Sequence, residues 1–144
     1  MHLLRHLRYL VLALLLPAAL PALAADLTFS DARVRALIPG QDKTVGYVNV
    51  RNGGSAPVTL ESAVAEGVRA IEFHATVNDN GMMRMRRLQT LIIAPGESVA
   101  LEPGGRHLML FGIPELSESL TITFRTADGQ GVQVPFRRVS LTGN

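Results

Sequence analysis

Residues 70 to 87 read AIEFHATVNDNGMMRMRR, a β-type run, a knot of turn formers and a second run. Successive side chains of a strand point to opposite faces, so the register across the turn determines which side chains His74 meets. If Asn78 to Gly81 form a four-residue loop, His74 lies opposite Met85. If Asn80 and Gly81 turn alone, as in a two-residue hairpin, His74 faces Arg87 and Met85 becomes its diagonal neighbour. Both registers keep His74 and Met85 on one face within side-chain reach. A three-residue loop or a bulge would separate them.

The same grammar runs outward in both directions. RVRALI (33–38) stops at PGQDK, TVGYVNV (44–50) at RNGGSAP, and VTLESAV (58–64) near AEG; beyond the hairpin come LQTLIIA (88–94), SVALE (98–102), HLMLF (107–111), LTITFRT (120–126) and VQVPF (132–136), each closed by Pro or Gly turns. Short strands at such regular spacing predict an antiparallel β-sandwich or barrel. Only ESAVAEG (61–67) and PELSES (114–119) have any helical character. One all-β domain is expected over about 27 to 142, assigned as residues 25–144.

The first 24 residues do not belong to that domain. Arg5 and Arg8 precede an apolar run from about Tyr9 to Leu20, and Ala22-Leu23-Ala24 supplies an A-x-A cleavage pattern, the signature of a secretory signal peptide. Pro17 and Pro21 interrupt a run shorter than the ~20 apolar residues of a membrane span. The chain is expected to be exported, with membrane contact only during export. Loss of Arg5 and Arg8 takes 14 basic residues to 12, equal to the 12 acidic ones. A neutral mature chain whose basic residues cluster only at Arg84, Arg86 and Arg87 is no nucleic-acid binder. It also has no cysteine. A domain of this length buries a core without disulfide staples, but no thiolate is available as nucleophile or ligand.

Sulfur and imidazole are instead concentrated in one region. Outside the leader the chain has two histidines, His74 and His107, and four methionines, Met82, Met83, Met85 and Met109, all between positions 74 and 109. In HLMLF, alternation sends Leu108 and Leu110 toward the core and His107 and Met109 the other way. Methionine often fills gaps in cores, and Met82 or Met83 alone reads that way. A shared face for His107 and Met109 opposite a leucine pair points to joint ligation. Thioether sulfur is soft and uncharged and imidazole is borderline, a set suited to Cu(I). Structural zinc wants Cys, His and carboxylates, calcium and magnesium want several oxygens, and blue copper wants a Cys. Catalytic readings find no support: there is no G-x-S-x-G elbow, no triad spacing and no phosphate loop, and acids such as Glu72, Glu97 and Glu102 are scattered.

The spacing from His74 to Met85 to His107 and Met109 is H-x10-M-x21-H-x-M, and it resembles the signature of the periplasmic PCu(A)C-type copper chaperones. GMMRMR, APGESVALEPGGRHLMLFG, DARVR and GYVNVRN extend the likeness over most of the mature chain. The resemblance implies a cupredoxin-like antiparallel β-sandwich of Greek-key type, binding one Cu(I) per chain through His74, Met85, His107 and Met109 in a partly exposed site. It implies a monomeric carrier in the periplasm, not an enzyme. Its copper would go toward the dinuclear copper site of cytochrome c oxidase, directly or through a thiol-bearing chaperone. Two positions depart from the family pattern: Arg33, where many relatives have Trp, and Ala75, where many have Met. Two other functions share parts of the pattern, a metal-independent envelope binding module using an edge strand and a periplasmic copper storage or detoxification protein.

Overall fold

The computed structural model describes residues 26–142; the leader assigned to residues 1–24 lies outside them. Ten strands occur in chain order: β1 (Leu27–Arg35), β2 (Lys43–Asn52), β3 (Val58–Val64), β4 (Ala70–Asp79), β5 (Met82–Leu88), β6 (Leu91–Ile93), β7 (Ser98–Leu101), β8 (Arg106–Phe111), β9 (Ser119–Thr126) and β10 (Gly131–Val139). Among the described residues there is no helix. The ESAVAEG segment is strand as far as Val64, and its β-branched and alternating character outweighs its local helical preference. The run at 88–94 is divided, with β5 ending at Leu88 and the short β6 pairing with β3.

Neighbours in the sheet run β5-β4-β8-β7-β2-β1-β10-β9-β3-β6, with β8 also pairing β2 and β4 also pairing β3. The single bridge Ala63–Ile71 between β3 and β4 closes the system on itself, giving a sandwich joined along one side. Several neighbours are distant in sequence, as Greek-key connections require. The pairing is antiparallel except between β1 and β10 and between β7 and β8. Nearly the whole chain separates β1 from β10, ample for the crossover a parallel pair needs, whereas β7 and β8 share only the bridge Leu101–Arg106 and follow one another along β2.

Alternation supplies the core. Ile122 and Phe124 of β9, Phe136 of β10, Leu60 of β3, and Leu108 and Leu110 of β8 are all fully buried. Phe124 is the hub, its ring 4.9 Å from that of Phe29, 6.2 Å from Phe136 and 6.4 Å from Phe73. Burying a side chain of this type contributes roughly 1.5–3 kcal/mol.

The hairpin between β4 and β5 turns on two residues. Asn80 and Gly81 both have positive φ, 53° and 85°, the conformation a type I′ turn requires and Asn-Gly accommodates. The Gly81 amide donates to Asn78 Oδ1 at 2.7 Å. Asp79 then pairs with Met82, Thr76 with Met85, and His74 with Arg87. The shorter of the two sequence registers is therefore the one adopted. β5 ends the sheet order as an edge strand, exposed from Met82 to Arg87.

Candidate metal centre

Three adjacent strands, β5, β4 and β8, carry the four predicted ligands. His74 of β4 pairs directly with His107 of β8, their ring centres 5.8 Å apart and their planes inclined at 46°. Met109 is cross-strand from Glu72 on β4 and from Val45 on β2. Met85, opposite Thr76, is diagonal to His74. Period-two alternation puts Glu72, His74 and Thr76, Met83, Met85 and Arg87, and His107, Met109 and Phe111 on one face. Phe73, Leu108 and Leu110 enter the core beneath them. All four predicted ligands thus share one side of a sheet whose other side is packed solid.

That face is not uniformly open. His107 is only 4% exposed, although its strand position is opposite the core leucines. The turn between β7 and β8 extends the pairing of β8 alongside β4: the Gly105 carbonyl accepts from the Thr76 amide at 3.1 Å and from His107 Nδ1 at 3.2 Å. A carbonyl can only accept, so the proton of His107 is on Nδ1 and Nε2 carries a free lone pair. His74 shows the complementary arrangement. Its Nε2 donates to Glu72 Oε2 at 2.9 Å, leaving the lone pair on Nδ1. Both free nitrogens, His74 Nδ1 and His107 Nε2, are buried with no hydrogen-bond partner. An unpaired buried polar atom costs about 1–3 kcal/mol, and two on directly paired residues make a donor pair that a cation could satisfy.

The sulfur side is more open. Met85 is 63% exposed; Met109 is half-buried and also lines a cavity of about 280 Å³ with Arg35, Lys43 and Val45. Among the described residues no three His, Cys, Asp or Glu side chains converge as a metal site. Two imidazoles supplemented by neutral thioethers suit Cu(I) better than zinc or calcium.

Burial holds the His107 pKa below its ordinary value of 6.5, against the opposing pull of the Gly105 hydrogen bond and with a smaller push from neighbouring His74. The sign for stability follows from proton uptake. Below about pH 6.5 the unfolded chain protonates this imidazole while the folded chain resists. The apo protein should therefore lose stability as pH falls from 6.5 toward the depressed native pKa, and His107→Gln should remove that share of the loss. Thermal unfolding between pH 7.5 and 5.5 measures it, and equal slopes for the two proteins would contradict it.

Glu72, Arg87 and Gly105 also contribute to the site. Glu72 was legible in principle, since it sits two residues before His74 and period two puts both on one face. The other two depended on strand order. Arg33, one of the departures from the family pattern, lies 5.3 Å over the ring of Tyr47, and Arg35 lies 5.7 Å from the same ring. This is a cation–π contact on β1 and β2, off the strands that bear His74, Met85 and His107.

A family model described as "Putative lipoprotein LpqE-like" matches residues 27–137. The chain belongs to the LpqE-like family. "Putative lipoprotein Lxx21020" of Leifsonia xyli subsp. xyli is 31% identical over 130 residues, 85% of this chain and 77% of the relative. Among solved structures, the copper-bound PCuAC domain from PmoF2 superposes with a TM-score of 0.69 at 19% identity, covering 81% of this chain and 96% of that domain; at that identity the likeness concerns fold. The Cu(I) form of DR1885 from Deinococcus radiodurans is 26% identical, with a TM-score of 0.60 over 85% of this chain and 80% of that protein. The LpqE-like chain therefore has the cupredoxin-like β-sandwich fold of PCuAC domains, as its sequence resemblance implied.

Proposed function

We propose that this LpqE-like protein is an exported envelope carrier that binds one Cu(I) through His74, Met85, His107 and Met109 and passes it to an acceptor protein. The observation that carries the reading is the pair of buried, unpartnered nitrogens on neighbouring His74 and His107. A cation satisfies both at once, and the soft, uncharged thioethers beside them favour the monovalent ion. The proposed acceptor is the dinuclear copper site of cytochrome c oxidase or a thiol-bearing copper chaperone. The protein acts as a monomer and catalyses no reaction. The leader expected at 1–24 and the lipoprotein naming of the family and of the Leifsonia relative support an exported, envelope location, which we take to be the periplasm. Lipid attachment through a thiol has no acceptor among these 144 residues, which lack cysteine.

Transfer needs a site that holds the ion yet lets incoming ligands replace its donors one at a time. The outermost donor is Met85. Met85→Ala should leave stability within about 0.5 kcal/mol, as exposed substitutions do, while weakening Cu(I) retention at least ~10-fold, the lower end of what outer-shell changes cost. Competition against a Cu(I)-specific chelator measures retention. No Cu(I) uptake by the unmodified protein would remove the proposal and leave the edge-strand binding module in its place. Uptake without transfer to an oxidase copper subunit would indicate storage.

A further inference from the structure

Among the described residues, Glu72 is the carboxylate that shares the face of the four ligands and contacts one of them. Its Oε2 accepts from His74 Nε2 at 2.9 Å, and its Oε1 is 3.4 Å from Arg87 Nη1. Both oxygens are therefore engaged, one on the imidazole and the other on the guanidinium cross-strand from it. With each oxygen committed, Glu72 is poorly placed to become a ligand itself. Nor does the ion pair account for it, because Arg87 is 59% exposed at its side chain and such pairs contribute only ~0–1 kcal/mol. What the arrangement does accomplish is to hold the His74 proton on Nε2 and leave Nδ1 as the lone-pair nitrogen, buried and without a hydrogen-bond partner, on the ring next to that of His107.

We infer that Glu72, steadied by Arg87, is a positioning residue that selects the His74 nitrogen offered to copper, so that the ion is held by unlike atoms, Nδ1 of His74 and Nε2 of His107. This rests on the copper-binding reading above. On His107 the Gly105 carbonyl performs the equivalent task from the other side, by occupying Nδ1. Carboxylate or carbonyl partners behind ligating imidazoles fix both ring orientation and tautomer, and their removal costs about 10–100-fold in metal affinity. The two backing groups differ in kind. Gly105 is backbone and survives any substitution at that position, whereas Glu72 is a side chain and can be removed.

The test compares unmodified protein with Glu72→Ala and Glu72→Gln, each loaded with Cu(I). Long-range proton–nitrogen NMR of the imidazoles should show His74 protonated on Nε2 and His107 on Nδ1 in the unmodified protein. Chelator competition should show a 10–100-fold loss of Cu(I) affinity in Glu72→Ala. Glu72→Gln keeps an acceptor oxygen for His74 while losing the charge that pairs with Arg87, so it should recover most of the affinity and the His74 Nε2 proton signal. A purely structural role through the ion pair predicts instead that both variants suffer alike. His74 bound through Nε2 in the unmodified protein, Glu72→Ala within twofold of it, or Glu72→Gln as weak as Glu72→Ala would each overturn the inference. The first of these requires no variant to fold. Absence of Cu(I) uptake by the unmodified protein overturns the function itself, a distinct result.

Discussion

Replacing His107 with alanine should reduce Cu(I) affinity by more than ~100-fold, beyond the range set by outer-shell changes, as measured by competition against a Cu(I)-specific chelator. His107 is the most enclosed of the proposed ligands, 4% exposed, with its ring held by the Gly105 carbonyl, its Nε2 buried and unpartnered, and its ring centre 5.8 Å from that of His74. A donor fixed in advance loses little freedom on binding, so its removal costs more than the loss of the exposed Met85. The fold should survive, because β8 is anchored on its other face by Leu108 and Leu110, both fully buried. The substitution also deletes an unpaired polar atom, which offsets part of the cavity it leaves. Unchanged competition with a native-like spectrum would remove His107 from the site.

The second large effect is on stability. Phe124→Ala should lower the free energy of unfolding by about 3–5 kcal/mol, the usual cost of truncating a buried phenylalanine. Phe124 is fully buried and in ring contact with Phe29, Phe73 and Phe136, which come from β1, β4 and β10. No single neighbour can collapse into the space. A domain of this size is stable by only ~5–15 kcal/mol, and with no cysteine in the chain no disulfide limits the unfolded state. Urea denaturation measures the change, and a loss under 1 kcal/mol would show that the core closes over the gap. Because Phe73 immediately precedes His74, copper affinity should fall with the packing, though less than in the His107 variant.

Local rules accounted for much of this. HLMLF alternates as its composition dictates, so Leu108 and Leu110 go inward and His107 and Met109 outward. Asn80-Gly81 turns because those residues tolerate the positive φ of a type I′ hairpin. The divided strand at 88–94 was not foreseen, since an apolar run carries no marker of where its pairing partner changes from β4 to β3. The burial of His107 was not foreseen either. It depends on the turn between β7 and β8 running alongside β4.

The residues alone determined the all-β class and the core-facing sets, and put His74 and Met85 on one face for either of two hairpin registers, because period two and turn chemistry act over a few neighbouring positions. Only the tertiary structure decided that β8 lies against β4, bringing His107 directly across from His74, and that Glu72, Arg87 and Gly105 stand behind the imidazoles. Strand order is a long-range outcome of how the two faces of the sandwich bury Phe124 and its neighbours, and no short stretch of chain encodes it.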